Sequence, residues 1–184
     1  TIPQIIDLGL AAALIAVGGL ILCLVAGYAL ARALRLSDEL AFLTSAAVAI
    51  CGASAALAVS AVLPRSGTSE RNAGATVAAI TVIGTAAMIA FPLIAEAAGM
   101  DARAAGIFFG ASLHEVVQAV GAGFTHSELA GEISATVKLI RVACLAPVVM
   151  LIGWWSHRSK RDAQGRTPPL LPLFLVGLML SPEI

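Results

Sequence analysis

The chain has 184 residues, of which 59% are hydrophobic and 12% charged, and its formal net charge is zero. No basic patch is interleaved with aromatic residues, so the composition speaks against nucleic-acid binding. So much apolar content leaves a choice between a soluble core and a membrane domain, and the length of the apolar runs decides for the membrane.

Charge-free stretches run from Leu8 to Ala31, from Leu40 to Leu63 and from Ala73 to Ala95. Each exceeds the roughly 18 residues that mark a membrane-crossing helix. The first run is too long for a signal peptide and lacks a basic start, so it reads as a span. The second has small and polar residues at its middle, Ile50 to Ala55 (ICGASA). Close helix packing accounts for such residues. A helix unwound near Gly52, with Ser54 capping a second half-helix at mid-membrane, also does, and its free N–H groups would make an anion site of Cys51, Gly52, Ala53 and Ser54. The third run contains Gly84, Thr85 and Pro92 and nothing ionisable, and reads as scaffold.

Two further runs, Ala104 to Phe124 and Ile133 to Trp155, carry ionisable residues inside them. In the first, a continuous helix would set His114, Gln118 and Gly121 on one face at i, i+4 and i+7, with Glu115 beside them. In the second, Ser134, Lys138 and Arg141 form the same stripe. A charge at the centre of a membrane helix costs roughly 2.5 to 3.5 kcal/mol, so these helices need partners. Static pairing of Glu115 with Lys138 or Arg141 is one outcome. One acid against two bases leaves a positive charge over, which asks for an anion. Gly106, Gly110, Gly121 and Gly123 suit close packing or flexing.

His114 and Glu115 begin like the zinc-protease motif HExxH, but Gln118 stands where the second imidazole would be, and His126 is too far along to replace it. Cys23, Cys51 and Cys144 are scattered thiols without paired spacing. No metal, no cofactor and no enzymatic activity is expected. A final apolar run, Leu170 to Leu180, is too short to cross, and the start at Thr1 suggests a piece of a longer protein.

The expected fold is all-α, a single transmembrane domain over residues 1–184: a polytopic helix bundle with about five spans, a truncated sixth and one broken helix. Five spans would put Arg32, Arg35, Arg103, Arg158, Lys160, Arg161 and Arg166 on one side and Arg65 and Arg71 on the other. The positive-inside rule then sets the N-terminus outside and the loop 156–167 in the cytoplasm, with Trp154 and Trp155 as an interfacial anchor.

The motifs ICGASAA (50–56), TVIGTAAMIAFPL (81–93), AGIFFGASLHEVVQAVGAG (105–123) and VKLIRVACLAPV (137–148), in this order, resemble the YeiH family of bacterial inner-membrane proteins, described as sulfate exporters. The resemblance covers about Leu8 to the end. It implies a secondary transporter similar to those built of two inverted repeats with crossed, broken helices. The counterpart of ICGASAA would then lie beyond Ile184. A small inorganic anion, sulfate or sulfite-like, is the implied substrate, and the lipid bilayer the surrounding partner. Further copies of the chain, as a homo-oligomer, are a candidate partner as well. On this basis Lys138, Arg141, Gln118 and residues 51–54 would bind the anion, and His114 and Glu115 would couple it to protons. A channel, or a scaffold with static ion pairs, is the competing class.

Overall fold

The computed structural model describes the backbone of residues 2–158 and the side-chain surroundings of 12–156 and 158. The run 170–180 and most of the loop 156–167 lie outside the described residues.

Eight helices follow one another: α1 (Ile2–Ala33), α2 (Asp38–Ala49), α3 (Ala53–Val62), α4 (Ser69–Ala97), α5 (Ala102–Ser112), α6 (Val116–His126), α7 (Glu128–Ala143) and α8 (Leu145–Arg158). Local chemistry sets several starts: the side chains of Ser37, Asp101 and Ser127 accept from the backbone N–H groups of Leu40, Ala104 and Ala130, satisfying donors that a helix start leaves orphaned. α7 and α8 form one long rod with a hitch at Cys144. Pro147 explains the hitch, because it has no N–H to return to the Ala143 carbonyl.

Among the described residues three stretches are long and apolar enough to cross a membrane: Ala12–Ala33, Ser69–Ala97 and Glu128–Ser156. The other two apolar runs are each divided into two short helices. α2, α3, α5 and α6 have 12, 10, 11 and 11 residues. At 1.5 Å per residue each is about 15–18 Å long, half of a bilayer core roughly 30 Å thick. Each pair folds back on itself. Glu39 at the start of α2 accepts a hydrogen bond from Ser66, just past α3, at 2.8 Å. A methyl at Gly106 on α5 and one at Gly123 on α6 would both come within 3 Å of the same Ala130 carbonyl oxygen, at 2.8 and 2.9 Å. Phe109 and His126 sit ring to ring at 6.2 Å. A continuous helix would hold Gly106 and Gly123 about 25 Å apart.

Among the described residues the structure thus has three rods long enough to span, and two hairpins of half-length helices where the sequence reads two further spans. Run length could not separate these cases, because two half-helices in series have the length and hydropathy of one span.

The hairpins enter from opposite ends. α2–α3 packs with the later part of α1 and with α8, where Val62 meets Gly153. α5–α6 packs with the end of α4 and the start of α7. The units α1–α2–α3 and α4–α5–α6 correspond at a shift of about 63 residues, with α4 running opposite to α1. A second break of the same kind as ICGASAA lies inside the chain, at residues 113–115.

Glycine makes the second hairpin dense. A methyl at Gly110 would meet the Ser134 carbonyl at 2.6 Å and Val137 at 2.8 Å, so α5 lies directly on α7. Small residues do this where membrane helices must approach closely. Of the two roles open to Gly106, Gly110 and Gly123, close packing is the one realised here.

This topology predicts a labelling pattern. Cysteines placed at Met100 and Leu129, which flank α5–α6, react with an impermeant maleimide from the same side of the membrane. Five full spans would put them on opposite sides.

Candidate functional site: two hairpin tips and a cationic rod

The tips are Ile50–Cys51–Gly52 and Leu113–His114–Glu115, and they meet at the middle of the bundle. Gly52 has φ +67° and ψ −122°, a region open to glycine alone. A methyl there would lie 3.0 Å from the Glu115 Cγ and 3.7 Å from the His114 Cβ. One tip therefore rests on the other.

At each tip a helix ends and another begins, so four helix ends converge. The C-terminal ends of α2 and α5 expose orphan carbonyls, which need donors in a dry interior. Lys138 and Arg141 on α7 supply them. The Lys138 Nζ donates to the Ile50 carbonyl at 2.9 Å and to the Leu113 carbonyl at 2.5 Å. The Arg141 guanidinium donates to the carbonyls of Ala49 and Ala111, with Val48 at 3.5 Å. The two side chains are 0% and 2% exposed. Ser134, one turn earlier on the same stripe, donates to the Ala119 carbonyl of α6 at 2.7 Å. The i, i+4, i+7 pattern of α7 is thus a line of donors that staples both hairpins to one rod.

The N-terminal ends of α3 and α6 differ. Glu115 is the N-cap of α6 in a reciprocal capping box: its carboxylate accepts from the Gln118 N–H, and the Gln118 amide oxygen accepts from the Glu115 N–H at 3.4 Å. Thr81 of α4 donates to the same carboxylate at 3.4 Å. Gln118 lies against Gly84, where any side chain would collide with its amide. α3 starts at Gly52, which has no side chain to cap it; the Ala55 N–H and the Ser54 hydroxyl are directed at the Cys51 sulfur, and the N–H groups of Ala53 and Ser54 are without partners inside the helix. Ser54, expected as the cap, sits one residue inside the first turn and is exposed, while Cys51 and Gly52 are buried in the tip.

His114 is not on a helical face with Gln118, because the helix is interrupted between them. It is buried in the tip, and its Nδ1 has no hydrogen-bond partner. Among the described residues no ion pair joins Glu115 to Lys138 or Arg141; the pair present is Arg32–Asp38, at a surface end. The nine residues singled out by sequence do converge: residues 51–54 on one tip, His114, Glu115 and Gln118 on the other, and Lys138 and Arg141 beneath both. Thr81 and Gly84 were missed, because a threonine and a glycine in an uncharged span carry no signal of their own.

The charges can be weighed with half an elementary charge at each helix end. The two C-termini offset about one of the two cations, and the Glu115 carboxylate offsets the two N-termini. About one positive charge remains at the tips, and about two when Glu115 is protonated. The cations themselves are spent on carbonyls rather than left free.

The chain matches the family described as Conserved hypothetical protein 698 over residues 1–181. It is 44% identical over 182 residues to a UPF0324 membrane protein of Rhizobium meliloti, covering 98% of this chain and 53% of that protein. It is 44% identical over 174 residues to UPF0324 membrane protein TauZ of Paracoccus pantotrophus, covering 94% and 52%. A UPF0324 membrane protein of Chlorobaculum tepidum is 41% identical over 181 residues, covering 98% and 51%. The chain spans about half the length of the curated relatives it matches. No solved structure gives a significant match. By this coverage the chain belongs to the YeiH or UPF0324 family of membrane proteins, the family its hairpin and α7 motifs resemble.

Proposed function

We propose that this chain forms the substrate-holding part of a secondary carrier for a small oxyanion, of the sulfate or sulfite class. The observation that supports the reading is the N-terminus of α3, where Ser54 is exposed and the Ala53 and Ser54 N–H groups have no helical partner, set beside the buried Lys138 and Arg141. The N–H groups of Ala53 and Ser54 are suited to oxyanion oxygens, and the Ser54 hydroxyl would turn from the Cys51 sulfur to join them. Lys138 and Arg141 contribute field from below rather than direct contact, since their N–H groups already serve the tips. Gln118 fixes the position of Glu115.

Glu115 is the coupling group in this reading, with His114 as its titratable neighbour. Protonation of Glu115 removes the negative charge beside the α3 end and makes the site more attractive to an anion, so proton and anion bind together. Outward passage of a divalent anion with one proton carries net negative charge out. In an inside-negative potential that movement is downhill by about 2.3 kcal/mol per 100 mV.

The positions of the basic residues support an orientation. Arg32, Arg35, Arg65, Arg71 and Arg158 lie at one end of the bundle and Arg103 at the other, and Lys160, Arg161 and Arg166 follow α8 in sequence. The split is sharper than five spans would give, and the basic end is assigned to the cytoplasm of a bacterial inner membrane, with the N-terminus outside. Trp154, with the Arg158 guanidinium 4.6 Å over its ring, marks that interface.

In proteoliposomes containing the full-length polypeptide, uptake of labelled sulfate or sulfite rises as pH falls. Glu115→Gln removes that dependence while keeping the capping geometry. A parent whose transport is flat with pH, or a Glu115→Gln variant with the parent's profile, would remove Glu115 from the coupling role. The scaffold reading predicts no uptake at all.

A further inference from the structure

The polar tips are open on one flank. Ser54, at the second position of α3, is exposed, as is Thr81, which holds Glu115. Val117, at the second position of α6, is 78% exposed, and Leu57, one turn after Ser54, is 54% exposed. Ser54 and Val117 lie within one helical turn of the Gly52–Glu115 contact, Leu57 is about one and a half turns past Gly52, and Thr81 hydrogen-bonds to the Glu115 carboxylate. They are also deep: Thr81 is near the middle of α4, and both tips are at the far ends of half-helices that start at opposite faces.

A bilayer cannot cover this flank. Ionisable and strongly polar groups at mid-depth face protein or a water-filled cavity, because lipid offers them no partners. The lipid-facing surfaces of this chain look different: on α4, Val82, Ile83, Ile89 and Leu93 are all exposed and apolar. The curated relatives are about twice as long as the part this chain matches, which supplies a partner of the right size and kind.

We infer that the flank formed by Ser54, Leu57, Thr81 and Val117 is an interface for further membrane helices of the same polypeptide, which close the site against lipid. The facing helices present small or hydrogen-bonding residues at the level of Thr81 and Ser54, and the cavity they leave is the passage to the tips. The inference rests on the tips being polar at mid-depth and not on the ligand they take, so it stands or falls separately from the carrier reading.

The test is photo-crosslinking in the full-length polypeptide in native membranes. A benzoylphenylalanine is placed at Val117 and, separately, at Leu57; both sites are exposed, so the fold tolerates them. Ile89 on the outer face of α4 serves as the lipid-facing control. The expected result is an intrachain product at Val117 and Leu57, mapped by proteolysis to a peptide outside residues 2–158, with lipid adducts only at Ile89. Dimer-sized products would assign the flank to a second copy. Lipid adducts at Val117, or a yield there no higher than at Ile89, would show it open to the bilayer. Either result overturns the inference.

Discussion

Lys138→Met is expected to cost about 3 to 5 kcal/mol and to lower both the yield and the melting temperature of the detergent-purified protein. The Lys138 ammonium donates to the C-cap carbonyls of two hairpins at once. A thioether of similar length fills the space but leaves both carbonyls buried without a donor, and each such group costs about 1 to 3 kcal/mol. The second half of the experiment is more telling. A static Glu115–Lys138 pair predicts that Glu115→Gln relieves the loss, because the orphaned charge is removed. Here the Glu115 carboxylate serves the α6 N-terminus and the Thr81 hydroxyl instead. The double variant is therefore expected to be no more stable than Lys138→Met alone. Rescue by the double variant would show that the pair, not the carbonyl staple, is what Lys138 is for.

Gly52→Ala is the second large effect. At φ +67° and ψ −122° an L residue is strained by about 1 to 3 kcal/mol, and the added methyl would stand 3.0 Å from the Glu115 Cγ. The Glu115 side chain cannot retreat without giving up its capping box. A loss of about 2 to 4 kcal/mol is expected, read as a drop in melting temperature. Gly67→Ala, in a loop where nothing lies within 4 Å, is the matched control and should be close to neutral. Equal stability of the two variants would mean that the α2–α3 tip is not held in the conformation described.

Much of the site was legible from residue spacing, and the topology was not. The stripe Ser134–Lys138–Arg141 announced a buried donor line, because nothing but a function or a staple places two cations within one turn of a membrane helix. The break at Gly52 was visible from ICGASA. The break at 113–115 was hidden by its own chemistry: Leu113 and Val116 keep the run apolar, and His114 and Glu115 look like a stripe when a continuous helix is assumed. A capping-box spacing, Glu115 to Gln118, was the one local sign that a helix starts there, and Glu is not among the usual N-cap residues. The fold-back of each hairpin had a weaker signal still, in the positive charges. Placing Arg65 and Arg71 with Arg32 and Arg35 gives a cleaner charge asymmetry than five spans do, but only once both hairpins are allowed together.

The measurement that tests the anion site most directly is thermal stabilisation of the detergent-purified full-length polypeptide by sulfate, sulfite, thiosulfate, phosphate and chloride, beside a Ser54→Asp variant. A carboxylate in the first turn of α3 sits where the anion is proposed to bind and favours the helix end by about 0.3 to 1 kcal/mol. The variant should therefore be at least as stable as the parent without added anion. The account predicts that one oxyanion class stabilises the parent, more strongly at lower pH, and that the variant no longer responds. A parent indifferent to all five anions, or a variant that responds as the parent does, would contradict it.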